Sequence, residues 1–524
     1  MIGLIDVAAA AGATTVGGGL MFSHLILFVL FLFFSAATAL VVAHPPKFIS
    51  KKVEQYQMSK KLFPNGENYR NLTHLDMTGR LVKHTIKTEK AIVPNETMAT
   101  SHIHIAGEVL GNHDIDYINK YWTFAPGLTF EQYNDGITVK IQGDDHTCTL
   151  MSSLSYWGFH VNEEVREYAF QKVRETGTGN HGSYLLLGKN TVVDEAYENM
   201  KKFFHRKYCS FAASGFLACM NLVANLCPQG GIIFMDEKCH VCLRYGSKLT
   251  GAKFVKFPHQ NYEALRELMK QYRHQYSGRS LLVLDAIYSA DGTIANLPKA
   301  RACCDDFDTL LVMDEAHSLG SLGKTGHGIE EHFDMVGACD FICGVFSKTL
   351  SSYGGYVVSD NPFVITLTIT PGVGFATGPH SFSAATVAKG LEIIERDNGK
   401  LRAAIDEMRA FYVQELKKNR CANIIHCGHN VFVSYPHVYA ATTVAVEMRK
   451  RGYFMSSFMF PSVPLDRSIL RLTVTPLMTK EILADFSKTL GEVMESLVPR
   501  FGNDVMFGKH SKAYYDEIGD AEDR

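Results

Sequence analysis

The sequence predicts an α/β protein in which a mostly parallel sheet is covered by helices on both faces and is followed by a smaller α+β domain. Three observations carry this prediction. Apolar runs of strand length recur between residues 231 and 346, segments of helical period separate them, and the pattern changes after about residue 430. Alternation of strands with helices is typical of parallel sheets, whose strands are buried on both faces and therefore appear as continuous apolar runs.

Four apolar runs are expected to form neighbouring strands of the large domain. They are GIIFMDE (231–237), SLLVLD (280–285), TLLVMDE (309–315) and FICGVF (341–346). Between the first two lies NYEALRELMKQY, whose apolar residues share one helical face: Tyr262, Leu265, Leu268, Met269 and Tyr272. The smaller domain is predicted from the strand-like runs VFVSYP (431–436) and ILRLTVT (469–475) and from the amphipathic helix after them, with Thr479 as its N-cap.

The N-terminus predicts a membrane anchor. Residues 25–43 are a stretch of 19 residues without charge, and a helix of that length spans about 28 Å, close to the hydrocarbon thickness of a bilayer. Basic residues follow the stretch, whereas the residues before it carry only Asp6, so we expect a single pass with the rest of the chain in the cytoplasm. The sequons at Asn71 and Asn95 would then stay unglycosylated. A cleaved signal peptide is the alternative.

The chain therefore divides into five predicted parts. The second is polar, rich in histidine and without sustained periodicity, and we expect it to wrap around the body of the protein. The parts are the anchor (1–45), the N-terminal arm (46–150), the large domain (151–395), the small domain (396–510) and an acidic tail (511–524).

Charge and cysteine usage exclude several classes of protein. Lys and Arg total 52 against 54 Asp and Glu, without a basic stripe, so a nucleic-acid partner is not expected. The 12 cysteines lie beyond residue 147 without regular spacing, which indicates reduced thiols rather than a disulfide scaffold. Cys239, His240 and Cys242 are close in sequence, but no second ligand pair stands at a matching distance, so we expect no metal site.

Ionisable side chains that could take part in catalysis stand at the ends of the predicted strands. Because parallel strands end at one edge of a sheet, we expect four of them to lie near one another: Asp236, Asp285, Asp314 and Lys348. A buried lysine is costly without a partner, which is usually a phosphate, a carboxylate or an imine. Glycine-bearing stretches lie upstream at 177–184 and 213–216.

A pyridoxal phosphate site needs this combination of groups. The lysine forms an imine, a carboxylate protonates the pyridine nitrogen, an aromatic side chain stacks on the ring, and main-chain donors hold the phosphate. The DEAH sequence at 314–317 also occurs in helicases, but a helicase needs a G-x-x-x-x-G-K-[ST] loop, which this sequence lacks.

Seven motifs follow one another in a fixed order along the chain. They are SYWGFH (155–160), MDEKCH (235–240), YSADGTIANLP (288–298), DEAHSLGSLGKTGHG (314–328), GVFSKTL (344–350), FATGPHS (375–381) and LRLTVTP (470–476). Together they resemble the α-oxoamine synthases, a family of fold type I pyridoxal-phosphate enzymes. The resemblance covers about residues 150 to 498 and implies a fold type I transferase with a seven-stranded large domain.

The resemblance implies roles around the ring of the cofactor, pyridoxal 5′-phosphate. Lys348 would form the imine, His240 would stack on the ring, and Asp314 would bond the pyridine nitrogen. Ser289 and His317 would both bond the phenolic oxygen. The catalytic set implied by the resemblance is therefore Lys348, His240, Asp314 and His317.

The resemblance also implies contacts to the phosphate and to the substrate. Gly215, Phe216 and Ser347 would hold the phosphate. Thr377 would reach it from a second subunit, so the site would be completed across a homodimer or a heterodimer with a related subunit. Arg471 would bind the carboxylate of the amino acid, with help from His240.

The reaction that the resemblance implies is a decarboxylating condensation of an amino acid with an acyl-CoA. Because an anchor suits an enzyme that handles a long acyl chain, the sequence favours L-serine and palmitoyl-CoA, with 3-ketosphinganine as product. The expected location is the endoplasmic reticulum membrane, with the catalytic domain in the cytosol. One alternative uses glycine or alanine with a shorter acyl donor. Another is a non-catalytic regulatory subunit, which would typically lack the lysine that is present here as Lys348.

Overall fold

The computed structural model describes residues 129–459, 462–464 and 466–508. Its strands, in chain order, are β1 (Phe130–Gln132), β2 (Thr138–Ile141), β3 (Thr147–Leu150), β4 (Tyr208–Ala212), β5 (Ile232–Asp236), β6 (Lys253–Phe257), β7 (Ser280–Asp285), β8 (Leu310–Asp314), β9 (Phe341–Val345), β10 (Gly355–Ser359), β11 (Ile424–Cys427), β12 (Asn430–Tyr435), β13 (Tyr453–Phe454), β14 (Ser456–Phe458) and β15 (Ser468–Thr473). Its α-helices are α1 (Glu163–Thr176), α2 (Tyr184–Leu187), α3 (Thr191–Phe203), α4 (Gly215–Leu226), α5 (Val241–Thr250), α6 (Tyr262–Tyr272), α7 (Leu297–Asp306), α8 (Ile329–His332), α9 (Phe363–Leu367), α10 (Pro371–Gly374), α11 (Ser381–Asp397), α12 (Lys400–Lys418), α13 (Ala440–Arg449), α14 (Lys480–Phe501) and α15 (Asn503–Phe507).

A seven-stranded, mostly parallel sheet forms the large domain, as predicted. Its strand order is β4-β10-β9-β8-β7-β5-β6. The strands from β9 to β6 are parallel to their neighbours, whereas β10 is antiparallel to both β9 and β4. Every residue of β5 and β7 is buried, as expected for strands covered on both faces. The four apolar runs in the sequence correspond to β5, β7, β8 and β9.

In-register pairing brings several strand ends to one edge of this sheet. Asp285 at the end of β7 pairs with Asp314 at the end of β8, and Asp314 pairs with Cys343 of β9. Lys348 lies in the turn that follows β9. The fold therefore gathers two carboxylates and a lysine where the parallel strands end.

Helices α4 and α5 approach each other closely at Gly246. A Cβ atom on Gly246 would lie 2.6 Å from the carbonyl oxygen of Met220, so a larger residue would push the two helices apart. Helix α5 begins after His240, whose side chain accepts a hydrogen bond from the backbone N–H of Cys242. The close contact of the two helices fixes the start of α5, and with it His240, against α4.

A sheet of four strands and the long helix α14 form the core of the small domain. The sheet has the order β11-β12-β15-β14 and is antiparallel throughout. Thr479 caps α14 as predicted, because its hydroxyl accepts a hydrogen bond from the backbone N–H of Ile482. The helix buries the apolar face that the sequence predicts, including Leu483, Phe486, Leu490, Val493, Met494 and Leu497.

The end of the predicted N-terminal arm is folded into strands. Strands β1, β2 and β3 form an antiparallel meander, and β3 pairs in parallel with β13. Residues 130–150 are thus joined to the chain that follows α13 in the C-terminal part of the protein. The domain boundaries given by the sequence stay predictions, and the tail at 511–524 lies outside the described residues.

The cysteines are reduced thiols, as the sequence predicts, whereas the predicted membrane anchor lies outside the described residues. All 12 cysteines are free and buried. Within residues 129–508, as far as the structure describes them, no helix combines the length and the apolar character needed to cross a membrane. The predicted anchor at 25–43 lies outside the described residues.

A buried ion pair in the large domain yields a stability prediction. Arg206 Nη2 donates to both carboxylate oxygens of Glu330, at 2.6 and 2.7 Å, and the two side chains are 2% and 7% exposed. Because Arg206→Met would leave a buried carboxylate without its cation, we expect it to lower the free energy of unfolding by about 3–5 kcal/mol. Urea unfolding of the purified protein measures this loss.

The matched control is Arg396→Met. It breaks the pair of Arg396 with Glu164, whose side chains are 58% and 43% exposed, and should cost less than about 1 kcal/mol. If the two variants lost the same free energy of unfolding, burial would not be what makes the Arg206–Glu330 pair important for stability.

Candidate active site

A cavity of about 40 Å³ lies at the edge where the parallel strands end. Its wall contains seven of the ten residues predicted for the site: Gly215, Phe216, His240, Ser289, Asp314, His317 and Lys348. An eighth, Arg471, donates from Nη1 to the carbonyl oxygen of Ser289 at 3.4 Å and so adjoins this wall. The fold therefore brings together residues that are more than 250 positions apart in the chain.

Lys348 is the amine at the centre of this cavity. Burial lowers the pKa of Lys348 to about 8, although the nearby Asp314 carboxylate opposes the shift and the Arg471 guanidinium adds to it. A lysine with this pKa is partly neutral near physiological pH, whereas an ordinary lysine titrates at about 10.4. Its amine is thus available both as a nucleophile and as a base.

Two carboxylates lie side by side next to the lysine. Asp314 Oδ1 accepts a hydrogen bond from the backbone N–H of Ala316 at 2.9 Å. Asp285 accepts from the backbone N–H of His240 with both oxygens, at 3.2 and 3.1 Å. Burial, and then the neighbouring Asp314, raise the pKa of Asp285 well above its usual range. Asp285 therefore favours its neutral form beside Asp314 and holds the main chain of His240 in place.

Asp285 and Asp236 show where the prediction from strand ends was incomplete. Both were expected near the lysine, but only Asp285 lines the cavity. Asp236 instead pairs with His259, at 2.9 Å between Asp236 Oδ1 and His259 Nδ1. The position of a residue at a strand end predicted the edge of the sheet at which it lies, but not which partner its side chain would bond.

His240 stands at the start of α5 with its ring at the cavity wall. Its Nδ1 lies 2.9 Å from Cys242 Sγ, and its ring is perpendicular to that of Phe216, with the centroids 6.5 Å apart. The capping role and these two contacts fix the orientation of the imidazole. A ring held in this way can lie against a planar ligand in the cavity.

His317 is a neutral hydrogen-bond donor toward the cavity. Burial, and then the Lys348 ammonium, lower the pKa of His317 well below its usual range. Its Nδ1 lies 2.7 Å from the hydroxyl of Tyr156, which in turn accepts from Asn430 Nδ2 at 3.1 Å. Since burial raises the pKa of Tyr156 to about 12, the hydroxyl keeps its proton, and its two acceptors are His317 Nδ1 and Asn430 Oδ1, the latter at 3.3 Å. When the hydroxyl donates to Nδ1, the imidazole proton of His317 lies on Nε2.

Tyr156 and Asn430 are functional residues that the sequence analysis did not assign. Tyr156 lies within the SYWGFH motif, so the motif gave a signal, but no role followed from its position alone. Asn430 is the first residue of β12 in the small domain and is separated from Tyr156 by 274 positions. No local pattern could have connected the two.

Arg471 provides a cation with unused donors. It lies on β15, its guanidinium carbon is 4.7 Å from the centroid of the Phe458 ring, and burial lowers its pKa. Among the described residues its Nε has no hydrogen-bond partner. Such a buried, partly unpaired guanidinium is suited to binding a carboxylate in two parallel hydrogen bonds.

Ser347 and Thr377 are not part of the cavity wall. Both side chains are exposed, and Thr377 lies between α10 and α11. Phe375, two residues before Thr377, is 68% exposed. The contact of Thr377 with a cofactor bound to a second subunit stays a prediction.

The residues present fit pyridoxal phosphate. Lys348 offers an amine of lowered pKa, Asp314 a carboxyl group, and His317 an imidazole. Gly215 opens helix α4, where the first N–H groups have no acceptor within the helix and suit a phosphate. A Cβ atom on Gly215 would lie 1.8 Å from Cγ1 of Val345, so only glycine leaves this corner open.

Comparisons with known proteins agree with this arrangement. Residues 159–490 match the family model described as aminotransferase class I and II. A putative 8-amino-7-oxononanoate synthase of Rippkaea orientalis is 28% identical over 68% of this chain and 92% of its own. Serine palmitoyltransferase of Caulobacter vibrioides is 27% identical over 68% of this chain and 87% of its own. The solved serine palmitoyltransferase of Sphingomonas wittichii is similar in fold, with a TM-score of 0.69 and 20% identity over 77% of this chain and 99% of that chain.

The lowered pKa of Lys348 predicts its reactivity. In the cofactor-free protein, acylation of Lys348 by acetic anhydride should increase about tenfold per pH unit and level off near pH 8, because the neutral amine is the reactive form. Peptide mapping measures the label at each pH, with the exposed Lys140 as reference in the same sample.

The variant Asp314→Asn tests the cause of the shift. Loss of the carboxylate removes an interaction that raises the pKa of Lys348, so the plateau should begin at a lower pH. A plateau above pH 9 in the wild type, or one that moves upward in the variant, would contradict the electrostatic account of this site.

Proposed function

Because the chain belongs to the α-oxoamine synthases among the class I and II aminotransferases, which use pyridoxal 5′-phosphate, we propose that it condenses L-serine with a long-chain acyl-CoA. Palmitoyl-CoA is the proposed acyl donor, and the products are 3-ketosphinganine, CoA and carbon dioxide. This reaction would be the first step of sphingolipid synthesis. One observation supports an amino acid as substrate. The guanidinium of Arg471 lies beside Ser289, and in the described part of the chain its Nε has no hydrogen-bond partner.

The side chains divide the work of such a condensation. When bound, pyridoxal phosphate supplies an electron sink that weakens the Cα–H bond of the attached amino acid. Asp314 would keep a proton on the pyridine nitrogen of the bound cofactor, and His317 would donate a hydrogen bond to its phenolic oxygen. Lys348, with a pKa of about 8, accepts the proton from Cα and can return it.

Arg471 and His240 act on the substrate. Arg471 holds the carboxylate in a fixed orientation, so that the bond from Cα to the acyl carbon forms before the carboxylate leaves as carbon dioxide. The thiol of CoA leaves when that carbon–carbon bond has formed. His240, held by Asp285 and Cys242, lines the face on which the amino acid must lie.

Serine and a long acyl chain are favoured by the N-terminal sequence and by one relative. The apolar residues 25–43 suit an enzyme whose acyl donor and product partition into a membrane. We propose that they anchor the chain in the endoplasmic reticulum membrane with residues 47 onward in the cytosol. Glycosylation at Asn71 or Asn95 in cells would instead show that these residues lie on the luminal side. The relative from Caulobacter vibrioides carries the name serine palmitoyltransferase.

A second candidate is a synthase of the 8-amino-7-oxononanoate type, or one that uses glycine with a shorter acyl-CoA. It is favoured by the names of several relatives, among them those of Rippkaea orientalis and Maricaulis maris. A non-catalytic regulatory subunit is less well supported, because Lys348 and Asp314 are present and line one cavity.

A substrate panel tests the proposal. Purified full-length protein is assayed for CoA release with serine, glycine and alanine, each combined with palmitoyl-, acetyl-, succinyl- and pimeloyl-CoA. We expect the highest kcat/KM for serine with palmitoyl-CoA and no turnover in Lys348→Ala. Preference for alanine with pimeloyl-CoA, or for glycine, would replace the serine assignment. Lack of turnover with every pair would favour the regulatory subunit.

The role of Arg471 predicts a specific binding defect. Lysine cannot offer two parallel donors to a carboxylate, so Arg471→Lys should weaken amino-acid binding by roughly 1.5–3 kcal/mol, about 10- to 150-fold. Titration of the bound cofactor's visible absorbance with the amino acid measures this affinity, whichever amino acid the panel selects.

Arg449→Lys serves as the matched control. Arg449 pairs with Asp144 through Nε and Nη2, at 2.7 and 2.8 Å, and does not line the cavity. We expect wild-type affinity in this variant. Wild-type affinity in Arg471→Lys as well would show that another group binds the carboxylate.

A further inference from the structure

The two thiols of the motif at 239–242 take no chemical part in the proposed reaction. The sequence does not predict a metal site at Cys239, His240 and Cys242, because it offers no second ligand pair at a matching distance. In the structure the two thiols of this motif face different neighbours. Cys239 Sγ donates to the carbonyl oxygen of Val283 at 3.3 Å, whereas Cys242 lines the cavity. Only Cys242 is therefore placed to act on a ligand there.

The missing ligands of Cys242 come from other elements. Cys219 of α4, Cys242 of α5 and Asp314 of β8 place one ligand atom each within 4.8 Å of the other two, and all three residues are buried. The thiol of Cys343 on β9 lies close enough to Cys219 to raise the pKa of the Cys219 thiol. The contact at Gly246, which holds α4 against α5, keeps the two helices together. Two thiols and a carboxylate thus converge without any sequence signature.

We propose that the cofactor-free site binds one thiophilic divalent cation, of the class of Zn²⁺ and Cd²⁺, through Cys219, Cys242 and Asp314, and that this cation excludes pyridoxal phosphate. Two thiolates at about 2.3 Å from a tetrahedral metal lie roughly 3.8 Å apart, within the reach of these side chains. Each thiol loses its proton to solvent as the metal–sulfur bond forms, so no electron transfer is involved. His240 Nδ1 lies 2.9 Å from Cys242 Sγ but is not one of the three converging ligands.

The cation excludes pyridoxal phosphate because both need the carboxylate of Asp314. Asp314 has to bond either the metal or the pyridine nitrogen, because one carboxylate in this narrow cavity cannot serve both. The proposal therefore concerns the protein before it has acquired its cofactor, and it holds for any amino-acid or acyl specificity.

A second group of possible ligands, Asp144, His146 and Cys148, does not support such a site. Their ligand atoms also lie within 4.8 Å of one another. However, Asp144 is bound by the guanidinium of Arg449, and His146 Nε2 lies 2.9 Å from the carbonyl oxygen of the same residue. These groups already have partners.

Cadmium titration of the cofactor-free, full-length protein tests the proposal. The ultraviolet thiolate-to-metal charge-transfer band should saturate at one equivalent of Cd²⁺, and uptake of pyridoxal phosphate should fall in parallel. Cys219→Ala and Cys242→Ala should each weaken Cd²⁺ binding by more than about tenfold, since even the loss of a group behind a metal ligand costs that much. Cys239→Ala is the matched control, because Cys239 is equally buried but bonds Val283.

Three outcomes would overturn the proposal. They are loss of binding in Cys239→Ala with retention in Cys219→Ala, simultaneous binding of Cd²⁺ and pyridoxal phosphate, and the absence of a stoichiometric band. X-ray absorption of the zinc-bound wild type gives a test that needs no variant. It should show two sulfur ligands at about 2.3 Å, and a shell of nitrogen and oxygen alone would refute the site.

Discussion

The burial of charge at one edge of the sheet is the constraint on which the rest of the structure depends. Taking an ammonium and two carboxylates out of water is costly unless partners hold them or their ionisation changes. Both solutions occur here: the pKa of Lys348 falls and that of Asp285 rises, while backbone N–H groups hold both carboxylates. Parallel strands make this possible because they end together, and a slip of one residue would turn Asp314 to the other face.

The small domain contributes the other half of the site. Arg471 and Asn430 lie on its central strands β15 and β12, which pack on two sides: Val431, Leu470 and Leu472 belong to the core of the small domain, whereas Phe432 and Ile469 belong to that of the large domain. The cation suited to the substrate carboxylate is therefore anchored in strands that join the two cores.

Local patterns in the sequence were sufficient for the strands of the large sheet, the cap at Thr479 and the placement of Lys348 near Asp314. They failed where a contact depends on distant parts of the chain. The pairing of Tyr156 with Asn430 and the meeting of Cys219 with Cys242 arise from packing and from the space left by Gly246. Strands β1 to β3 were not predicted for another reason: each has only 3 or 4 residues, and β1 is exposed throughout, so the one alternating run, β2, is too short to indicate a strand.

The pairing of β3 with β13 bears on how proteins of this kind can be recombined. The matched family region begins at residue 159, after the three strands at 130–150 that complete a sheet with Tyr453 and Phe454. A chimera joined at the start of the recognisable motifs would separate β13 from its partner and leave an open strand edge, which invites aggregation. Crossover points for domain exchange therefore belong before Phe130, where the ladder begins.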